Sequence, residues 1–316
     1  MIDNHHESIR ERLTPMTRGT GFRMPGYHVW CSAAIRVGEM YHLFAARWPN
    51  GKSYFHASEI VRATANRPEG PYQFQEIVFG KQAAGRFDSG MAHNPAVYRT
   101  REGFALFYIG IDEGGSWGDR RIGVATSEAI EGPWRRSDMP LDLGIDCDAN
   151  NPAALIEADG SVKLIWRDMY LRVRISVARE IHGPYRLAND DVFPGVPLED
   201  FFLYRRDGRY HLICEDNVGA LTGHERWGAH LVSTDGITDW RPGDPLIMYD
   251  HTVRWTDGTV LHPVRRERPW LLIENGVATH LFTNCTMCRE IDVPVAPEME
   301  SWSQPVRIEG GYSAEV

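Results

Sequence analysis

Helix signals are nearly absent from this sequence, and so is any long apolar run. No stretch of about eighteen consecutive apolar residues occurs, which excludes a membrane-spanning helix. Basic charge is not in surplus: 34 Lys and Arg stand against 43 Asp and Glu, a net charge of −9. That balance argues against a nucleic-acid partner. Cysteine is scarce. The five present, Cys31, Cys147, Cys214, Cys285 and Cys288, are odd in number and scattered. They read as reduced thiols, not as a disulfide framework. Cys285 and Cys288 form a lone CxxC, which cannot by itself complete a tetrahedral zinc site. Residues Met1–Arg12 carry His5, His6, Glu7 and Arg10 and no apolar segment of the signal-peptide kind. The expectation is a cytoplasmic protein. Only His6–Leu13 has a helical pattern, within an N-terminal arm of residues 1–25 that is available for pairing with a second copy in a homodimer.

The rest of the composition is that of an ordinary globular protein, 42% hydrophobic and 24% charged. Aromatic residues make up 11%, with ten tryptophans. They suit strands, and sites that stack flat faces against sugar rings.

One apolar segment recurs five times. Tyr41–Arg47, Phe104–Ile109, Val162–Asp168, Tyr210–Asp216 and Thr279–Asn284 align on Leu43, Leu106, Leu164, Leu212 and Leu281. Each is short and rich in β-branched or aromatic residues, hence a buried strand. A turn precedes each, such as Asp159-Gly160, Asp207-Gly208 and Asn275-Gly276. Asp-Gly and Asn-Gly favour hairpins because both central positions want positive φ. Upstream lies a partner strand whose start is marked by Ser32, Pro95, Pro152, Phe201 or Pro269, eleven or twelve residues before its leucine. Third strands follow four of the hairpins, at Ile60–Ala63, Ile122–Thr126, Ile175–Ala178 and His230–Ser233. A turn and an aromatic come next: Tyr72, Trp134, Tyr185 and Trp240. Four antiparallel strands repeating every 50–65 residues or so make a propeller blade. The reading is an all-β protein, a single five-bladed β-propeller over residues 26–316.

In a propeller the innermost strands line the axis, so their shared register becomes geometry. The strand starts ring one end of the channel: Trp30–Ser32, His93–Pro95, Asn150–Pro152, Glu199–Phe201 and Glu267–Pro269. Second strands return to the same face and add Arg47, Trp48, Arg167, Asp168, Glu215 and Asp216. Loops before the heads add Asp88 and Asp148. Candidate catalytic residues are Asp200, Glu267 and Asp148. Candidate sugar contacts are Trp30, Ser32, Arg47, Asp88, His93, Asn94, Asn151, Arg167, Glu215 and Arg268. Paired carboxylates beside tryptophans suit glycosidic cleavage, in which one acid protonates the leaving oxygen and a second acts as base or nucleophile.

The strand heads and Gly-Pro-aromatic turns resemble the five-bladed β-propeller glycoside hydrolases of families 43, 32, 68 and 117. More narrowly, Trp30–Ser32, Phe44–Pro49, Ser58–Ala63, Met91–Pro95, Arg121–Ala125 and Glu267–Pro269 are similar to family-43-like and family-117-like bacterial proteins. The resemblance spans roughly residues 20–285. It implies an exo-acting hydrolase that removes a terminal sugar from an oligosaccharide and requires no cofactor. It also implies a cation such as calcium in the central channel near His93. In that clan an aspartate base stands on blade one, a second aspartate tunes pKa, and the acid comes from a later blade. Asp200 matches an acidic strand start, and Glu267 resembles a position near the family-117 acid. Two departures stand out. Cys31 occupies the blade-one position, and Arg266 replaces the histidine that precedes the glutamate in family 117. The alternative is a propeller that binds carbohydrate without hydrolysing it, or one that cleaves by elimination.

Overall fold

A computed structural model describes residues 8–316 of the chain. His5, His6 and Glu7 lie outside the described residues. Among the described residues, nineteen of twenty-one strands build five blades around one axis. Blade one is β1 (Tyr27–Val37), β2 (Met40–Pro49), β3 (Glu59–Ala65) and β4 (Gln73–Phe79). Blade two is β5 (Met91–Thr100), β6 (Gly103–Ile111), β7 (Arg121–Ser127) and β8 (Arg135–Arg136). Blade three is β9 (Asn150–Ile156), β10 (Val162–Arg167), β11 (Val173–Ala178) and β12 (Arg186–Asn189). Blade four is β13 (Leu198–Arg206), β14 (Arg209–Asp216), β15 (Trp227–Ser233) and β16 (Arg241–Tyr249). A short hairpin, β17 (Val253–Arg254) with β18 (Val260–Leu261), leads to blade five: β19 (Arg265–Glu274), β20 (Val277–Thr286) and β21 (Trp302–Ser313). Each four-stranded sheet is an antiparallel meander in sequence order.

The repeat is visible in the backbone itself. Each innermost strand carries a bulge near its start, at 30/33, 93/96, 150/153, 199/202 and 267/270. The bulged residues Cys31, Asn94, Asn151, Asp200 and Arg268 all have positive φ, between 53° and 60°. Asn and Asp tolerate this region; for Cys31 and Arg268 it costs on the order of 1–2 kcal/mol. A bulge leaves one backbone N–H without a ladder partner. Pro95, Pro152 and Pro269, which follow three of these residues, have no N–H to lose. Where blade one has Ser32 instead, its N–H donates to Asn284 Oδ1 at 3.0 Å, and Asn284 Nδ2 donates back to Ser32 Oγ at 3.0 Å.

Blade five departs from the repeat. A loop over 287–301 separates β20 from its third strand, so no third strand stands at the expected distance. Its outer edge is supplied from the other end of the chain. Phe22 and Ser303 exchange both backbone hydrogen bonds at 3.0 Å, and Thr14 N donates to Arg307 O at 3.0 Å. Ile9 and Phe22 are buried in the main core. The expected helix there is a single 3₁₀ turn, Ile9–Arg12, capped by Ser8 and Glu11. The described part of the arm thus completes blade five of its own chain. Phe22→Ala should cost about 3–5 kcal/mol, as for other fully buried phenylalanines. A urea midpoint that does not move would show that the arm contributes little to closure.

Candidate functional site

The five bulges aim their side chains into the channel mouth. There they form a ring of residues, joined by two separate runs of hydrogen bonds. Cys31 Sγ donates to Asn94 Oδ1 at 2.8 Å, and Asn94 Nδ2 donates to Asn150 Oδ1 at 2.9 Å. Asn151 Nδ2 and Arg268 Nη1 both donate to Asp200 Oδ1. Above the ring opens a cavity of about 300 Å³, at the small end of ligand sites, which run from about 300 to 1,000 Å³.

Its two sides differ in chemistry. Blades one and two contribute aromatic rings: Trp30, Trp48, Tyr54, His93 and Trp117. Tyr54 stacks on His93 with centroids 4.8 Å apart, and Trp117 meets Tyr54 edge-on. Blades four and five contribute charge: Glu199, Asp200, Arg265, Glu267 and Arg268, with Glu290 and Asp292 from the 287–301 loop. That loop reaches across to blade one. Its Ile291 O accepts from Trp48 Nε1 at 3.1 Å, and its Asp292 Oδ1 accepts from Tyr54 N at 3.0 Å.

A regular strand would point Glu199 and Asp200 to opposite faces. The bulge re-aims Asp200, so both line the cavity. Their surroundings push them apart. Burial raises the Asp200 pKa, more than Arg268 lowers it. Glu199 is also buried, but Arg167 at 2.5 Å and Arg226 outweigh that and hold its pKa below the usual carboxylate value. Such a split assigns acid and base roles to neighbouring carboxyls. Glu267 is held by Arg265 in a bidentate pair at 2.6 and 2.7 Å. One oxygen of Glu267 lies within 4.8 Å of one of Asp200.

Of the residues marked from the sequence, Asp200, Glu267, Trp30, His93, Asn94, Asn151, Arg167 and Arg268 line the cavity. Glu215 lies behind the lining, fully buried. Four others face elsewhere. Asp148 pairs with Arg120 at 3.0 Å and accepts from Met169 N. Asp88 accepts from the Tyr108 hydroxyl at 2.7 Å and pairs with Arg136. Arg47 pairs with Glu59 at 2.7 Å and lies over the Tyr27 ring, on the opposite face of β2 from Trp48. Ser32 sits below the ring with Asn284. Neither Asp88 nor Asp148 lines the cavity, whereas Glu199 does. Arg266 also points away, into a buried nest of Thr283 Oγ1 and the carbonyls of Asp250 and Thr252.

Cys31 and His93 form a neutral pair. Burial pushes the Cys31 thiol up to about 12 and drives His93 well below the usual imidazole value. His93 Nδ1 lies 2.7 Å from Ser58 Oγ and Nε2 lies 3.5 Å from Cys31 Sγ. Both ring nitrogens are engaged, so a channel cation on His93 requires Ser58 or Cys31 to give way.

Tyr54, Trp117, Arg226, Arg265, Glu290 and Asp292 had no place among the marked residues. Arg265 was legible by alternation, two residues before Glu267 on one strand. The other five sit in loops after second strands, which rise on the same face as the heads. A larger groove, about 820 Å³, lies at the opposite end, between the hairpin turns of blades two and three. None of its lining residues belongs to the ring.

No family model matches the chain, and no curated protein sequence matches it. Solved structures do. A family 117 glycoside hydrolase from the marine bacterium Zobellia galactanivorans aligns over 96% of this chain and 90% of that one, with TM-score 0.64 and 12% identity. The chain is a five-bladed β-propeller of that architecture. A family 43 enzyme from Xanthomonas citri, solved with xylose, aligns over 95% and 94% at TM-score 0.63 and 12% identity. An α-L-arabinofuranosidase from Podospora anserina, solved with cellotriose, aligns over 94% of each chain at 0.59 and 14%. At these identities the likeness is one of fold.

Proposed function

We propose that this protein is a glycosidase that takes one terminal sugar ring into the channel mouth. The observation that carries this reading is the two-sided cavity, with aromatic faces from blades one and two opposite carboxylates of blades four and five. A sugar stacks its apolar face on the first wall and turns its hydroxyl edge and glycosidic oxygen to the second. The fold neighbours support the reading, because they include hydrolases of family 117 and family 43.

Asp200 is the acid. Its Oδ1 is held by Asn151 and Arg268, which leaves Oδ2 for the substrate, and burial favours its protonated form. Asp200 gives its proton to the leaving oxygen as the glycosidic C–O bond breaks. Glu267, ion-paired and within 4.8 Å, takes the anomeric carbon as an ester. Water, deprotonated by Asp200, then splits the ester and restores both groups. Oxygens no more than 4.8 Å apart favour the closer pairing of a double displacement, roughly 5–5.5 Å, over the roughly 6.5–9.5 Å that leaves room for an inverting water. Ionised Glu199 and Arg167 hold ring hydroxyls.

The test is sugar release from a panel of oligosaccharides and aryl glycosides, with the anomeric configuration of the first product followed by NMR. Free sugar released with retained configuration is expected, and net inversion would remove Glu267 from the nucleophile's role. The heads of blades one to three, Cys31, Asn94 and Asn151, carry no carboxylate, and this favours the second reading: a propeller that binds carbohydrate only. Saturable binding without release would establish it.

A further inference from the structure

Three carboxyl groups from three strands meet at the cavity floor: Asp200 of β13 and Glu267 of β19, which line it, and Glu215 of β14 just behind. One oxygen of each lies within 4.8 Å of the other two, and all three residues are buried. Glu215 is wholly enclosed, and its Oε2 has no hydrogen-bond partner. Three like groups so close cannot share a dry site without cations. A cluster of hard oxygens with one unfilled acceptor is the donor set that a divalent ion takes.

A side chain already stands in that place. Arg226 Nη1 donates to Glu215 Oε1 at 2.9 Å and to Glu267 Oε1 at 2.8 Å, bridging the two. Arg265 and Arg268 add two further guanidiniums at the cluster's rim, paired with Glu267 and Asp200. We propose that Arg226 is the resident cation of this cluster, a positioning residue whose guanidinium occupies the site of a divalent metal and holds Glu215 and Glu267 together.

The segment carrying Arg226 is constructed around that placement. After β14 the chain winds about Asp216, whose carboxylate accepts from Ala220 N, Leu221 N, Thr222 N and Thr222 Oγ1 at 2.7–2.9 Å. Arg226 N then donates to Asp216 O at 2.7 Å, and Arg226 O lies 3.1 Å from His251 Nε2. Arg226 itself has φ 63°, a left-handed conformation that costs an arginine on the order of 1–3 kcal/mol. Strain tolerated at a tethered residue, whose head group bridges two buried acids, points to the head group as its reason.

The experiment removes the guanidinium and offers a metal. Wild type, Arg226→Ala and Arg226→Ala/Glu215→Gln are stripped with EDTA, then melted and titrated calorimetrically with CaCl₂ and MnCl₂. Wild type should show no divalent-dependent shift. Arg226→Ala should melt about 5 °C or more lower, because it leaves a buried acid uncompensated. Millimolar Ca²⁺ or Mn²⁺ should restore most of that loss, more so at higher pH, since the ligand carboxyls must be deprotonated. The double variant should not be rescued. Arg226→Lys should retain part of the stability without metal. A wild type that binds one divalent ion and loses it on Glu215→Gln would overturn the proposal. So would an Arg226→Ala protein that divalent ions leave unmoved. Should that protein not fold, Arg226→Gln goes through the same titration under the same criteria. No sugar enters the experiment, so its result is independent of the glycosidase reading.

Discussion

Asp200→Asn should lower turnover of a natural glycoside by about 10²–10⁴-fold, the usual cost of losing a general acid. The fold should survive it. Asn already stands at the same left-handed position in blades two and three, as Asn94 and Asn151. An amide oxygen can still accept from Asn151 and Arg268. Glu267→Gln should lose a similar factor, and it should also lower stability, because the half-buried Arg265 is left without its bidentate partner. The leaving group separates the two roles. An aryl glycoside with an acidic phenol needs little protonation, so Asp200→Asn should retain much of its rate there, whereas Glu267→Gln should not. Near wild-type turnover of a natural glycoside in both variants would exclude the pair.

Stability should fall steeply as pH drops from about 6.5 to about 4. Seven imidazoles, His28, His42, His93, His211, His230, His251 and His280, are held below the usual histidine value, in each case chiefly by burial. The unfolded chain takes up protons near pH 6.5. The folded chain resists until lower pH, about 4 for His211. Between those values the unfolded state binds more protons, so stability is present above the window and lost through it. His211 alone contributes on the order of 3 kcal/mol. Burial is the leading cause for His211, and its partner His230 resists for a further reason. His230 lies 2.9 Å from Pro245 O through Nδ1, which must therefore carry the hydrogen. His230 Nε2 is then an acceptor, 2.9 Å from His211 Nδ1. A proton on that Nε2 breaks the pair. Asp200 and Glu215 oppose the trend, because their pKa values are raised and they favour the fold at low pH. Urea unfolding at pH 7, 5.5 and 4.5 checks the sum. A flat or rising profile would mean that the buried acids outweigh the imidazoles.

The propeller was legible because five leucines each stand eleven or twelve residues after a strand start, and that offset survives every difference in loop length. The same count located the ring residues Cys31, Asn94, Asn151, Asp200 and Arg268 without any contact information. Their positive φ was not legible, since nothing in Trp30–Ser32 or Glu267–Pro269 announces a bulge. Blade five was only half visible, because its third strand follows a long loop and its fourth comes from residues before β1. Arg47 and Trp48 are adjacent on one strand, so only one can face the axis. The ring-stacking Trp48 is the one that does. Arg226, Tyr54 and Trp117 sit in loops of unequal length, where no register reaches.

The seam of blade five sets a schedule for the molecule. Phe22 pairs with Ser303, so about 280 residues of chain separate two partners that must meet. At a synthesis rate of about 5–20 residues per second, the first waits some tens of seconds for the second. Throughout that interval Phe22 lacks the strand it pairs with, and blades one to four stand as an open arc with unpaired edges. The nascent chain is thus most exposed to aggregation and to chaperone capture late in its synthesis, and the channel mouth becomes a ring only when β19 arrives with Arg268.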